Sequence, residues 1–240
     1  MWTRAELKWD AREHLKGYYW KAFAVTLLVG LLSNNENARI TEKLTKQDLS
    51  PELIMVILPA IGVMFLIGLL LDVLVLNVLS VGANRFFICA RLGDVSMNHL
   101  LDGFRNGNYS NVVWTMFVMD IKILLWGLLF VIPGIVKSYE YRMVPYILAE
   151  DPSVSCSEAF RRSKIMMDGE KWDTFVLQLS FLGWLLLGML ACVIGTLFVI
   201  PYQEATMAEL YDRLRTKVYR RPNFFNGGSN FQSQPEDHIF

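Results

Sequence analysis

The chain has 240 residues, 53% of them hydrophobic and only 19% charged, and its 23 lysines and arginines are balanced by 23 aspartates and glutamates. With a mean hydropathy of +0.32, it is neither a disordered chain, which needs low hydrophobicity and high net charge, nor a generally basic nucleic-acid binder. Three cysteines exclude a disulfide scaffold, and a membrane protein is what the arithmetic leaves.

The first 17 residues are charged throughout and contain a capping box, Thr3-x-x-Glu6, that marks a helix start. An apolar block at 22–32 follows Tyr18, Tyr19 and Trp20. No small-residue cleavage pattern follows it, so it is expected to remain as a membrane helix and not to act as a signal peptide. Ser50-Pro51-Glu52 opens a second one, with proline at the first helical position. The stretch 53–83 has only Asp72 and Asn77 as strongly polar residues. The stretch 112–136 has only Asp120 and Lys122 as charges, and 175–202 has none. A bilayer core of about 30 Å takes about 20 apolar residues in a helix, and a soluble core helix is rarely apolar on all sides for so long.

Lysines and arginines near membrane ends favour the cytoplasmic side. They crowd 1–21, 84–110, 137–171 and 202–221, whereas 33–52 dilutes three cations with Glu36, Glu42, Asp48 and Glu52. The loop 34–48 is therefore expected outside. Both flanks of 111–136 then lie on one side, as do both flanks of 172–200, which a single crossing cannot satisfy. Each region is expected to be a hairpin, turning at Pro133-Gly134 in the first and between Gly183 and Gly188 in the second. The returning arms, about 134–150 and 189–213, are amphipathic and must face protein or the interface. The alternative makes them cytoplasmic surface helices after half-inserted segments.

An internal repeat supports this layout. Residues 129–133, Leu-Phe-Val-Ile-Pro, recur at 197–201, and Gly17-x-x-Trp20-x-x-Phe23 recurs as Gly169-x-x-Trp172-x-x-Phe175. A weaker copy is Gly107-x-x-Ser110-x-x-Val113. A second capping box, Ser155-x-x-Glu158, opens the last copy, and the middle one begins near Ser96. The pattern gives three parallel units, about 3–91, 95–151 and 154–215. Each has an amphipathic helix, a glycine break, an aromatic anchor and a hairpin. The fold class is all-α: a polytopic membrane domain over 1–215 with about six transmembrane helices. Residues 216–240 read as a disordered cytoplasmic tail.

Several of these residues form a pattern of their own: Pro133-Gly134-Ile135, Tyr141-Arg142-Met143-x-Pro145-Tyr146, Ser157-Glu158-Ala159-x-x-x-Ser163 and Gly169-x-x-Trp172, with Ile200-Pro201-Tyr202 near the end. The chain resembles the bacterial integral membrane family filed as domain of unknown function 975. More distantly, it resembles the membrane domain attached to some glycerophosphodiester phosphodiesterases. The resemblance covers about 1–215 and implies a six-helix protein of the plasma membrane, while the lysine and arginine distribution above places both termini in the cytoplasm. It implies no activity, and the chain lacks a phosphodiesterase catalytic domain.

No motif for hydrolysis, phosphate binding or metal binding is present, so no enzymatic activity and no cofactor are expected. His14, His99 and His238 read as solvated, and Cys89, Cys156 and Cys192 as packing residues. The functional candidates are ionisable residues at membrane depth: Asp72, Asp120, Lys122, Glu140, Arg142 and Glu204. Such charges pair, neutralise or line water. The expected pairs are Glu140 with Lys122, and Asp72 or Asp120 with Arg142. Two functions follow. One is a non-enzymatic module that scaffolds partners or binds anionic lipid headgroups through its basic amphipathic helices, 3–16 and 155–168. The other is a small transporter or channel built on those charges. The bilayer is the expected partner, and nucleic acid is not.

Overall fold

The computed structural model describes residues 2–33, 51–105, 107–190 and 194–219, and their regular structure is all helical. Helix α1 (Arg4–Leu15) precedes α2 (Tyr19–Ser33). Helix α3 (Pro51–Leu71) passes through a π-helical turn (Asp72–Leu76) into α4 (Asn77–Arg91). A 3-10 turn (Met97–Leu101) and the short α5 (Asp102–Arg105) lead to α6 (Tyr109–Leu129), α7 (Val131–Glu140) and α8 (Val144–Glu150). Last come α9 (Cys156–Met166), α10 (Lys171–Leu190) and α11 (Ile194–Tyr219).

Local chemistry sets several of these boundaries. Thr3 caps α1, its hydroxyl accepting from the Glu6 amide at 3.2 Å while the Glu6 carboxylate accepts from the Thr3 amide at 3.1 Å. The second expected capping box does not form. Ser155 makes no side-chain cap, and the Glu158 carboxylate, which would close the other half of the box, is taken by Arg161 and Arg162, each at 2.7 Å. Gly107 and Gly169 break the chain with φ of +67° and +76°, a region that costs any other residue about 1–2 kcal/mol. Pro145 enters α8 in its first turn, where no amide donor is needed.

The molecule has a packed base and exposed apolar arms. The base joins α1, α4, α8, α9 and the C-terminal part of α11, with Leu7, Phe86, Met143, Leu148 and Leu210 fully buried. Gly82 lets the 3-10 turn lie directly on α4, since a Cβ there would stand 2.1 Å from the Leu100 carbonyl oxygen. Helix α6 buries Val112, Thr115 and Met116 near its start but exposes Leu124, Leu128 and Leu129. Helix α10 buries Thr174, Leu177 and Phe181 and exposes Trp184. Helix α3 exposes almost every large side chain from Leu58 to Leu71. Among the described residues, two helices are long and apolar enough to cross a bilayer: Leu58–Arg91, with 34 residues, and Tyr109–Leu129, with 21.

Four sequence expectations change. The first hairpin turns at Phe130, in extended conformation, and not at Pro133-Gly134. Both of those residues lie inside α7, which has only 10 residues, a length of about 15 Å. The chain then breaks at 141–143 before α8, so 134–150 is two short helices and not one spanning arm. In the second region α10 runs unbroken through Gly183 and Gly188. The two Leu-Phe-Val-Ile-Pro copies are not equivalent either: one makes the turn into α7, while the other lies within α11, with Pro201 in the helix interior. Finally, α11 continues to Tyr219 with Val218 buried, four residues past the expected domain end. The loop 34–48 and the tail beyond Tyr219 lie outside the described residues.

Candidate functional site

The six candidate charges do not meet in one place. Asp72 opens the π-helical turn and is exposed. Next to that turn, Asn77 donates from Nδ2 to Asp120 Oδ2 at 2.8 Å, and the Tyr109 hydroxyl donates to the Leu74 carbonyl at 2.7 Å. A π turn interrupts the regular carbonyl ladder and so offers oxygens to outside donors.

Lys122 takes an aromatic partner in place of Glu140. Its Nζ lies 3.7 Å from the Phe160 ring centroid and 5.8 Å from that of Tyr141, and these two rings meet edge to face. A desolvated cation gains about 2 kcal/mol from such a ring. Glu140, 4% exposed, is held instead by Lys137 at 2.9 Å and Lys171 at 2.8 Å. Lys137 stands one helical turn away on α7 and Lys171 opens α10, and the two cations satisfy both carboxylate oxygens.

Among the described residues, Arg142 makes no ion pair with Asp72 or Asp120. Its charge acts on Glu204 of α11, although no ion pair closes between them. Glu204 lines a cavity of about 200 Å³ with Thr26, Ser80 and Asn84. The family-motif residues serve the backbone. Ser163 donates from Oγ to the Glu140 carbonyl at 2.7 Å and accepts from the Met143 amide at 3.2 Å. It thus satisfies the two ends of the break between α7 and α8. Gly134 packs on Gly127, and Trp172 is exposed at the start of α10.

The strongest electrostatics lie in the base, where sequence reading placed no site. Glu209 is 2% exposed. It meets His14 Nδ1 at 2.7 Å and Arg91 Nε at 2.8 Å, and Arg91 reaches Asp212 at 2.8 Å. Glu150 receives Arg215 and the Tyr211 hydroxyl, and Glu170 receives Lys217 and, at 2.9 Å, Trp2 Nε1. A second cluster centres on Asp102, which accepts from Arg85 at 2.7 Å and from His99 at 3.0 Å. His99 also reaches Asp94 at 2.9 Å. Two of the three histidines therefore bind carboxylates and are not simply solvated; His238 lies outside the described residues. These pairs join α1, α4 and α8 to α11, α4 to α5, and α5 to the 3-10 turn. The one sequence signal was the run of buried-type residues around Glu209, from Ala205 to Leu210, which sets a carboxylate in a core face.

With both carboxylates on its ring nitrogens, His99 favours the imidazolium. Burial opposes that charge, but the hydrogen bonds to Asp102 and Asp94 outweigh it and raise the His99 pKa. Burial likewise opposes the Asp102 carboxylate, and His99 and Arg85 outweigh it and hold the group below the usual carboxylate range.

Residues 109–218 match the family model described as Protein of unknown function (DUF975). This is the resemblance to domain of unknown function 975 drawn above, and the matched stretch contains Pro133, Gly134, Pro145, Ser163, Gly169, Trp172 and Pro201. No curated protein and no solved structure matches the chain. The more distant likeness to the glycerophosphodiester phosphodiesterase membrane domain finds no support in these comparisons.

Proposed function

We propose, for a chain whose residues 109–218 match that family of unknown function, an integral membrane module of the plasma membrane with its packed base on the cytoplasmic side. The observation that carries this reading is the exposed apolar surface of the arms. Val131 and Ile132 are 71% and 76% exposed, and Leu58 to Leu71 of α3 are similarly bare. An apolar surface of this extent needs a covering, and hydrocarbon supplies one. Burial at the start of α2, α6 and α10, and at the end of α4 and α11, supports a chain that leaves the base and returns to it three times. Trp20, Trp114 and Trp172 stand exposed near the base, where amphipathic rings favour the headgroup layer.

Within that frame the protein is a non-enzymatic module that binds lipid or scaffolds partners. The alternative, a small transporter or channel, requires Asp120, Lys122, Glu140 and Arg142 to converge on water. Their separate partners, Asn77, Phe160, the two lysines and Glu204, favour the module instead.

Alkaline carbonate extraction of cell membranes tests the reading. The full chain is expected to stay in the pellet and to enter solution only with detergent. Release by carbonate alone would remove the membrane assignment.

A further inference from the structure

Along α1 a cation follows each core residue. Leu7, Ala11 and Leu15 are buried, and Lys8, Arg12 and Lys16 come one position later. They form a stripe at spacing i, i+4, i+8 beside the buried seam. Two of the three acids of this helix turn elsewhere: Glu6 closes the capping box, and Asp10 meets Arg213 at 2.6 Å.

This stripe is one wall of an open groove of about 720 Å³, whose other wall is Trp184, Val199 and Tyr202 from α10 and α11. The volume falls within the range of small-ligand pockets, about 300–1,000 Å³. The groove's lining is mainly apolar and its charged rim is entirely cationic. The walls are fixed to each other: Lys8 Nζ lies 4.3 Å from the Phe181 ring centroid, and the Tyr202 hydroxyl donates to the Lys8 carbonyl at 3.1 Å. Lys16 is tied to Glu13 at 2.7 Å. Among the described residues, Lys8 and Arg12 have no carboxylate at ion-pair distance. Burial, and then the Arg4 charge, pulls the Lys8 ammonium down, as expected where cations gather without a counter-charge.

An apolar trough with two uncompensated cations at its edge is complementary to a ligand with an anionic head and a hydrocarbon tail. Resting on the membrane reading above, we propose that this groove binds an anionic phospholipid. The phosphate lies on Lys8 and Arg12, and an acyl chain lies against Trp184 and Val199. The site differs from general attraction of a basic helix to a charged leaflet, because the cations and the trough belong to one rigid corner of the base.

The test uses the full chain purified in neutral detergent and titrated with phosphatidylglycerol, phosphatidylcholine or inorganic phosphate, read by native mass spectrometry and thermal melting. Phosphatidylglycerol is expected to bind roughly tenfold or more tightly than phosphatidylcholine, since each cation contributes about 1 kcal/mol. The double variant Lys8→Gln/Arg12→Gln should lose that preference, and Lys164→Gln, on α9 outside the groove, should keep it. Trp184→Ala should weaken both lipids together. Circular dichroism checks helicity, and Arg12→Gln alone replaces the double variant if it unfolds. Equal binding of the two lipids, an unchanged double variant, or protection by inorganic phosphate equal to that by phosphatidylglycerol would each overturn the site. A membrane-embedded chain without lipid preference overturns the site alone, whereas a chain soluble without detergent overturns the membrane reading with it.

Discussion

Gly134 lies directly against Gly127: a Cβ built on Gly134 would stand 2.7 Å from the Gly127 Cα, while one built on Gly127 would meet nothing within 4 Å. The contact is where α7 folds back on α6 after the turn at Phe130. Small residues allow such close helix approach in lipid. Gly134→Ala should therefore cost about 1–3 kcal/mol by overpacking. Gly127→Ala should cost nothing or stabilise by up to about 1 kcal/mol through helix propensity. Thermal melts of the two variants in detergent compare them directly.

Ser163 supports the neighbouring break. Its fully buried hydroxyl both donates to the Glu140 carbonyl and accepts from the Met143 amide. Removing it strands two buried backbone groups, each costing about 1–3 kcal/mol. Ser163→Ala is expected to lower the melting temperature clearly, and Ser163→Thr to lower it less. Equal stability of wild type and Ser163→Ala would show that the break has other support.

Thr115 presents the opposite case. Its hydroxyl is buried in α6 and has no hydrogen-bond partner among the described residues. Valine has nearly the same shape without the unsatisfied polar group. Thr115→Val should be neutral or stabilise by about 1 kcal/mol, measured in the same melting assay.

The Asp94–His99–Asp102–Arg85 cluster gives stability a pH dependence. The His99 pKa is raised in the folded state, so its contribution is fully present below the usual histidine pKa and is lost as pH rises through the raised value. Asp102 is lowered, so its contribution is present above the usual carboxylate pKa and is lost as pH falls through the lowered value. The cluster is strongest between these limits. In wild type, stability should decline as pH rises above about 6.5, and His99→Gln should flatten that decline. An identical pH profile for the variant would rule out His99 as its source.

Local signals in the sequence were legible and long-range pairings were not. The helical class follows from the apolar runs, the Thr3 cap from a four-residue motif, and the breaks at Gly107 and Gly169 from glycine's access to positive φ. At Gly17 the same motif makes its turn without positive φ, so the repeat holds in outline more than in backbone detail. At Ser155 the reciprocal half of the expected box is lost because Arg161 and Arg162 take the Glu158 carboxylate within a helical turn. The charge partners were missed for a different reason. His14 and Glu209 are 195 residues apart, and no periodicity specifies which distant helix a side chain will meet. The proline-glycine pair misplaced the first turn because proline also suits the opening of a helix, where it needs no amide donor, and Gly134 serves close packing on Gly127.

The proposed orientation is that of an embedded protein whose base faces the cytoplasm. It is tested most directly by cysteine labelling in intact cells, with a cysteine-free background carrying either Glu42→Cys or the native Cys156. Cys156 is a free, half-exposed thiol at the start of α9 in the base, so it is reachable once the membrane is opened. An impermeant maleimide is expected to label Glu42→Cys in sealed cells and Cys156 only after permeabilisation. Labelling of Cys156 in sealed cells would contradict that orientation.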